Sequence, residues 1–351
     1  MNKISKVSLT ALCGSLAALT AVKAGELTIS GSAVMTMSKK SGATSGNPLG
    51  MKSNLTFSGN GELDGGQKVS LNITHNDKNV YSSSDMKLTT NSLGSFALTQ
   101  GTGGAGIGGY DDNMPRAFEE AWDTGVGSGV DLAKGVGSST TIAYTTPSLA
   151  GTTLQIAYAG KNDQQQVNDK SGSGIAGGEL AGAGIDVVID SSQDFGFFAP
   201  QIFVGYSETE QDSDGVAGGD PKKNRKEGVI GTTVSVGPIK AGWQRTAEYT
   251  GLNEGDSTVF GYKNTSWGVS FNVNDDLSVS YSEFESIKGF SGGHSNAGGE
   301  RPTTTIESIQ AAYTMGGVGL KVAFNDLDNG TYTVGTGSDA EHTLVMLSLA
   351  F

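Results

Sequence analysis

Between Asp111 and Asp123 the chain sets the carboxylates Asp111, Asp112, Glu119, Glu120 and Asp123 around one cation, Arg116. Covalent chemistry would need a nucleophile beside a base, or ligands at fixed offsets, and neither accompanies this block. The histidines His75, His294 and His342 are dispersed, and no Ser-His pair on neighbouring strands supports a hydrolase. Gly101, Gly103 and Gly106 match G-x-G-x-x-G, but the preceding strand is short, no βαβ unit follows, and glycine is common enough to make the match cheap. No catalytic site, cofactor or metal centre is indicated. What the block can do is present charge to ions and dipoles moving past it.

Its surroundings suit that task. Residues 101–134 interrupt the strand rhythm with glycines that permit sharp reversals, and Met114, Phe118 and Trp122 recur at near-helical spacing as anchors. Structureless connections longer than about 12–15 residues are usually functional or disordered. Opposed cations would complete the electrostatics. Lys52, Lys68, Lys87, Lys240 and Lys321 occupy the polar parity of their strands, and Arg116 sits in the loop itself. A passage bounded by these residues would be a size-limited filter, with mild cation preference following from the excess of acids. Acids in other loops, such as Asp212 to Asp220, could attract a divalent cation, but they lack EF-hand spacing and read as solvated.

The elements that must hold this loop are strands. Period-two alternation marks sixteen: 26–38, 50–60, 67–77, 84–91, 94–99, 138–146, 152–160, 183–190, 200–210, 226–236, 239–250, 258–273, 277–287, 303–315, 318–327 and 341–351. Short links alternate with long polar ones, as in an antiparallel up-and-down barrel with tight turns at one end. Val318, Leu320, Val322 and Phe324 would face outward, and Gly319, Lys321, Ala323 and Asn325 inward; Met51, Ser53, Leu55 and Phe57 oppose Lys52, Asn54, Thr56 and Ser58 in the same way. A soluble sandwich would hide its oily faces in one core and bury few lysines there. Tyr81, Tyr110, Tyr144, Tyr158, Tyr206, Trp243, Tyr249, Tyr262, Trp267, Tyr281, Tyr313 and Phe351 are candidates for aromatic girdles at two membrane interfaces.

Composition agrees. Glycine, 54 of 351 residues, is about twice the usual ~7%, yet without the period of collagen. Beyond the first residues no apolar run approaches the ~20 of a membrane helix. A mean hydropathy of -0.21 is no objection to a membrane barrel, because half of each strand is polar. Lys3 and Lys6 ahead of the apolar stretch Val7 to Val22, with Val22-Lys23-Ala24 at the processing position, mark residues 1–24 as a secretory signal and 25–351 as the barrel domain. The only cysteine, Cys13, lies in that signal after Leu12, which fits neither a lipoprotein nor a disulfide framework. Three of the 23 Lys and Arg also lie there, so 20 remain against 36 acids, a formal charge near -16. That balance argues against nucleic acid as a partner.

Four segments carry a family resemblance: Glu26-Leu27-Thr28-Ile29-Ser30-Gly31, Leu93-Gly94-Ser95-Phe96-Ala97-Leu98-Thr99-Gln100-Gly101, Asp111 to Asp123, and the terminal Phe351. In their order, together with the sixteen strands, the chain resembles the general porins of Gram-negative bacteria, closest in style to those of alphaproteobacteria. The resemblance implies a homotrimer of water-filled barrels in the outer membrane, among lipid and lipopolysaccharide, each with its third loop folded inward. It also implies passive diffusion of small hydrophilic solutes, and recognition of Phe351 by the outer-membrane assembly machinery. Such porins often set an arginine cluster opposite the loop. Here only Arg116, Arg225, Arg245 and Arg301 are present, so the wall would be less cationic or would use lysine. A substrate-selective channel, or a plugged structural or adhesion barrel, are the alternatives; solute-dependent block would mark the first and near-zero conductance the second.

Overall fold

A computed structural model describes residues 27–42, 47–77, 83–110, 113–136, 140–160, 181–211, 223–251, 259–290, 302–335 and 337–350. Sixteen strands follow one another: β1 (Leu27–Lys40), β2 (Leu49–Glu62), β3 (Lys68–Asn76), β4 (Ser83–Thr89), β5 (Ser95–Gln100), β6 (Thr141–Thr145), β7 (Thr152–Ala159), β8 (Ala181–Ser192), β9 (Phe198–Gln211), β10 (Arg225–Val236), β11 (Ile239–Tyr249), β12 (Val259–Asn272), β13 (Leu277–Phe290), β14 (Thr304–Met315), β15 (Val318–Asp328) and β16 (Ala340–Ala350). Each pairs antiparallel with its sequence neighbours, and β1 closes on β16 from Ser32↔Ala350 to Lys40↔His342. Closure removes every free edge, so no backbone row is left without a partner in an apolar medium.

Alternation of side chains sets the register. On β15, Val318, Leu320 and Phe324 point outward and are exposed, while Gly319, Ala323, Asn325 and Leu327 point inward and are buried. The outward surface bears aromatics near the turn end: Phe197, the stacked pair Phe195 and Phe198, and the tilted pair Phe96 and Tyr144. Two of the expected girdle residues lie inside instead. Tyr110 packs on Phe203, and Tyr262 on Tyr332, because loop segments descend onto the wall there and provide apolar cover. Tyr81, Phe351, Arg301, Asp111, Asp112 and the 212–220 loop lie outside the described residues.

Strand bounds differ from the period-two reading by up to three residues at an end. β6 is shorter than expected, and β13 runs on to Phe290. β8, weak by pattern, extends over 12 residues with a register shift between Ala181 and Gly184. Its glycines mask the alternation yet suit the position, since a Cβ at Gly184 would come 3.2 Å from Val136 of the loop.

The wall is uneven. β4 to β7 have 5 to 8 residues and β8 to β16 have 11 to 14. At ~3.4 Å per residue and a tilt near 45°, the first group rises roughly 12–19 Å and the second roughly 26–34 Å, against an apolar band of about 25 Å. The apolar clusters sit inside the barrel, between the wall and residues 105–136. Inward Val188, Phe203 and Val229 meet Ile107 and Met114, and inward Phe284, Ile306 and Leu327 meet Ala121 and Val126. The interior is therefore oilier than its small and hydrophilic pattern implied, and oily only where the loop covers it.

Candidate functional site

The connection from β5 to β6 crosses the lumen and returns, lying on the inner faces of β5 to β16 and touching β1 at Val34 and Lys40. Outbound, the backbone N–H of Gly106 donates to Gln155 Oε1 at 2.8 Å and that of Ile107 to Asp186 Oδ2 at 2.9 Å. Tyr110 Oη donates to Asp190 on β8 at 3.0 Å; burial, and then the Asp190 carboxylate, hold its phenol well above the usual range. Pro115 then passes Gly242 and Gly268, where any Cβ would collide with it. Ala117 N–H reaches Ser280 Oγ at 2.8 Å, and Gln310 Oε1 accepts from Phe118 and Glu119 at 2.9 and 3.2 Å. Gln310 Nε2 also donates to Glu119 O at 2.5 Å, so one inward amide fixes the tip at three points.

On the return, Thr331 N–H donates to Ser128 O at 2.7 Å, Asn264 Nδ2 to Asp131 O at 2.8 Å, and Lys134 N–H to Glu227 Oε1 at 2.7 Å. Lys40 Nζ donates to Val126 O. The anchors do not share a helix. Among its described residues two short 3-10 segments form, Gly106–Tyr110 and Ala121–Asp123, and the spacing of Met114, Phe118 and Trp122 instead delivers them to different clusters: Met114 to Phe203, Phe118 to Ala323 and Met346, Trp122 to the Phe284 group.

The structure brings six of the sequence-predicted residues together at the loop tip. Arg116 forms an ion pair with Glu120, which is only 6% exposed and so lies against the wall. Glu119 lies where Lys52 of β2 and Lys321 of β15 both act on it. Burial and then Asp123 push its carboxyl above the ordinary glutamate range, while Arg116, Lys321 and Lys52 pull it back. Lys321 also stands 5.4 Å over the Phe118 ring. Oxygens of Glu119, Glu120 and Asp123 come within 4.8 Å of one another. A cavity of about 430 Å³ opens beside them, lined by Thr36, Lys52, Glu119, Asp123 and His342 among others.

The other cations stand apart from this tip. Lys87 is in register with Ser70 and Ala97, on the inward face that also carries Asp85, whose carboxylate accepts from Asn72 Nδ2 at 3.0 Å. Lys68, opposite Glu62 and Thr89, is on the same face at the turn end. Lys240 pairs with Ser235 and Ser270 beside the Gly237-Pro238 turn, one inward step from the Gly242 that Pro115 covers. Sequence reasoning missed the groups that hold the loop: Asp186, Glu227 and Gln310 on the wall, and Tyr332 in the connection from β15 to β16. The visible signal was a carboxylate or amide on the inward parity of a strand, as in Ile185-Asp186-Val187-Val188 and Ser308-Ile309-Gln310.

No family model matches the chain, and no curated protein matches it. Solved structures do. Salmonella typhi OmpF, in complex with daunomycin, superposes with a TM-score of 0.67 at 14% identity, covering 93% of this chain and 98% of that one. Another solved porin gives 0.61 at 11%, covering 93% and 100%. The anion-selective porin from Comamonas acidovorans gives 0.58 at 14%, again covering 93% and 100%. Over nearly its whole length, the chain has the closed sixteen-stranded barrel fold of these porins.

Proposed function

We propose that this protein is an outer-membrane diffusion channel that lets ions and small hydrophilic solutes pass down their gradients. The observation that carries the reading is the lane left by the loop: it covers β5 to β16 and leaves the polar inner faces of β2 to β4 open. Lys52, Lys87 and Asp85 line that wall, and Glu119 and Asp123 face it from the tip. Transverse charge of this kind orders water and dipoles and excludes large apolar solutes. The bare wall offers Ser, Thr, Asn, Lys and Asp side chains and, among the described residues, no inward aromatic platform, which favours weak discrimination over a selective site. The apolar stretch Val7 to Val22 behind Lys3 and Lys6 supports export.

A homotrimer accompanies this reading. Strands of 5 to 8 residues fall short of the apolar band, yet outward Met86, Phe96, Leu98 and Ile142 are each more than 40% exposed. A second copy of the chain against this low wall would cover them without requiring lipid to thin. Planar-bilayer recording of the purified protein tests the function: ohmic steps closing in threes, with weak saturation, are expected. Absence of conductance would reject it, and block by one solute class would replace it with a selective channel.

A further inference from the structure

Both ends of the inward loop meet at one side chain. Asp186, fully buried on β8, accepts the N–H of Ile107 at 2.9 Å from the outbound stem and that of Val136 at 3.2 Å from the returning stem. Gly106 and Gly135 flank these donors in the left-handed region, with φ of +69° and +58°. At either one, a Cβ would overlap Asp186 Oδ2. Two glycines far apart in sequence thus lack side chains at the same carboxylate.

The neighbouring wall extends the grip on the returning stem. Glu227 accepts from Lys134 N–H at 2.7 Å and from Gly135 N–H at 3.0 Å, while Arg225 Nη2 donates to Gly135 O at 2.9 Å and lies 3.0 Å from Glu227 Oε2. Ile107, buried beside Asp186, fills the space over Gly205, where a Cβ would come 2.7 Å from Ile107 Cγ2. Glu227 holds one stem only. Among the described residues, Asp186 alone accepts from both.

We infer that Asp186 is a positioning residue that cinches residues 106–136 into a closed loop against the wall, and, on the channel reading above, thereby sets the width of the lane. A carboxylate suits the task because its two oxygens can serve donors arriving from separate directions, and charge-assisted bonds are roughly twice as strong as neutral ones. With the stems released, the tip would still hold to Gln310 but would swing on a longer tether. The lane would then fluctuate rather than simply widen.

Amide hydrogen exchange on the folded barrel in detergent tests this without relying on conduction. In Asp186→Ala, segments 103–110 and 131–136 are expected to exchange together, by about tenfold or more, while wall segments 198–211 and 225–236 keep their protection. Asp186→Asn, which retains one carbonyl acceptor, is expected to fall between. The inference is overturned if only one stem loosens, if neither does, or if wall and stems loosen alike. Should Asp186→Ala not form a heat-modifiable barrel, Gly106→Ala decides: it keeps the carboxylate but blocks the approach, and unchanged protection of both stems would overturn the inference. In bilayers the variants are expected to show open-channel noise several-fold above the parent. A parent that does not conduct would remove the channel reading and leave the exchange result standing.

Discussion

Along β8 to β16 the strands are long and their inward positions hold Val188, Phe203, Phe284, Ile306 and Leu327, together with Asp186, Glu227 and Gln310. Along β3 to β5 the strands have 9, 7 and 6 residues, fewer than any of β8 to β16, and their inward positions hold Lys68, Asn72, Asp85 and Lys87. Both stretches obey the same alternation, so the parity of a residue does not tell them apart. What separates them is which chemistry occupies the inward parity: apolar groups and hydrogen-bonded acids where a loop lies, solvated charges where water does. The outward faces differ as well, since only the tall stretch matches the thickness of an apolar bilayer core.

The largest expected effect breaks the low side from outside. Leu98→Arg, outward on β5 between Met86 and Ile142, should abolish the proposed trimer while leaving a heat-modifiable monomeric barrel, as read by unheated electrophoresis and light scattering. Ile309→Arg on tall β14 should instead leave assembly intact and cost about 2–4 kcal/mol of barrel stability in urea titration, because that surface meets lipid. If the two substitutions behave alike, the uneven wall does not separate partner from bilayer.

On the inner side, Phe118→Ala removes the ring packed on Ala323 and Met346, costing roughly 3 kcal/mol of loop docking. Added conductance levels and faster exchange at the tip would register the loss. Smaller still is the joint change Glu119→Gln and Asp123→Asn, which should lower cation preference severalfold in a salt-gradient reversal potential without altering conductance steps. pH should sharpen the same point by the least. Because the Glu119 carboxyl is held above the ordinary range, its charge is present at high pH and is lost, as pH falls, before that of an exposed glutamate. Cation preference should therefore begin to fade above the usual glutamate window, and the Glu119→Gln channel should lack that early limb.

Much of the barrel was legible in the sequence because a period of two is a local signal. All sixteen strands and the alternation of short and long links can be read from runs such as Val318 to Asn325. The β8 strand was harder, since Gly182 and Gly184 hide its pattern, Gly184 while making room for the loop. The acid-rich tip was legible as a block. Its geometry was not, because which wall Glu119 faces depends on where Pro115, Phe118 and Gln310 fix a chain that forms almost no regular structure. Near-helical spacing of Met114, Phe118 and Trp122 suggested one anchoring face, whereas the three rings and side chains dock on separate strands. Asp186 was least legible of all, for its partners are backbone N–H groups 79 and 50 residues away.

A single substitution addresses the lane itself. The chain's one cysteine, Cys13, precedes the barrel, so Lys52→Cys places a unique thiol on the bare wall opposite Glu119. Adding a bulky methanethiosulfonate to the open channel should cut the single-channel current by more than half, while outward Met51→Cys, labelled to the same extent, should leave it unchanged. Full current through a channel labelled at position 52 would contradict a lane between the loop tip and β2.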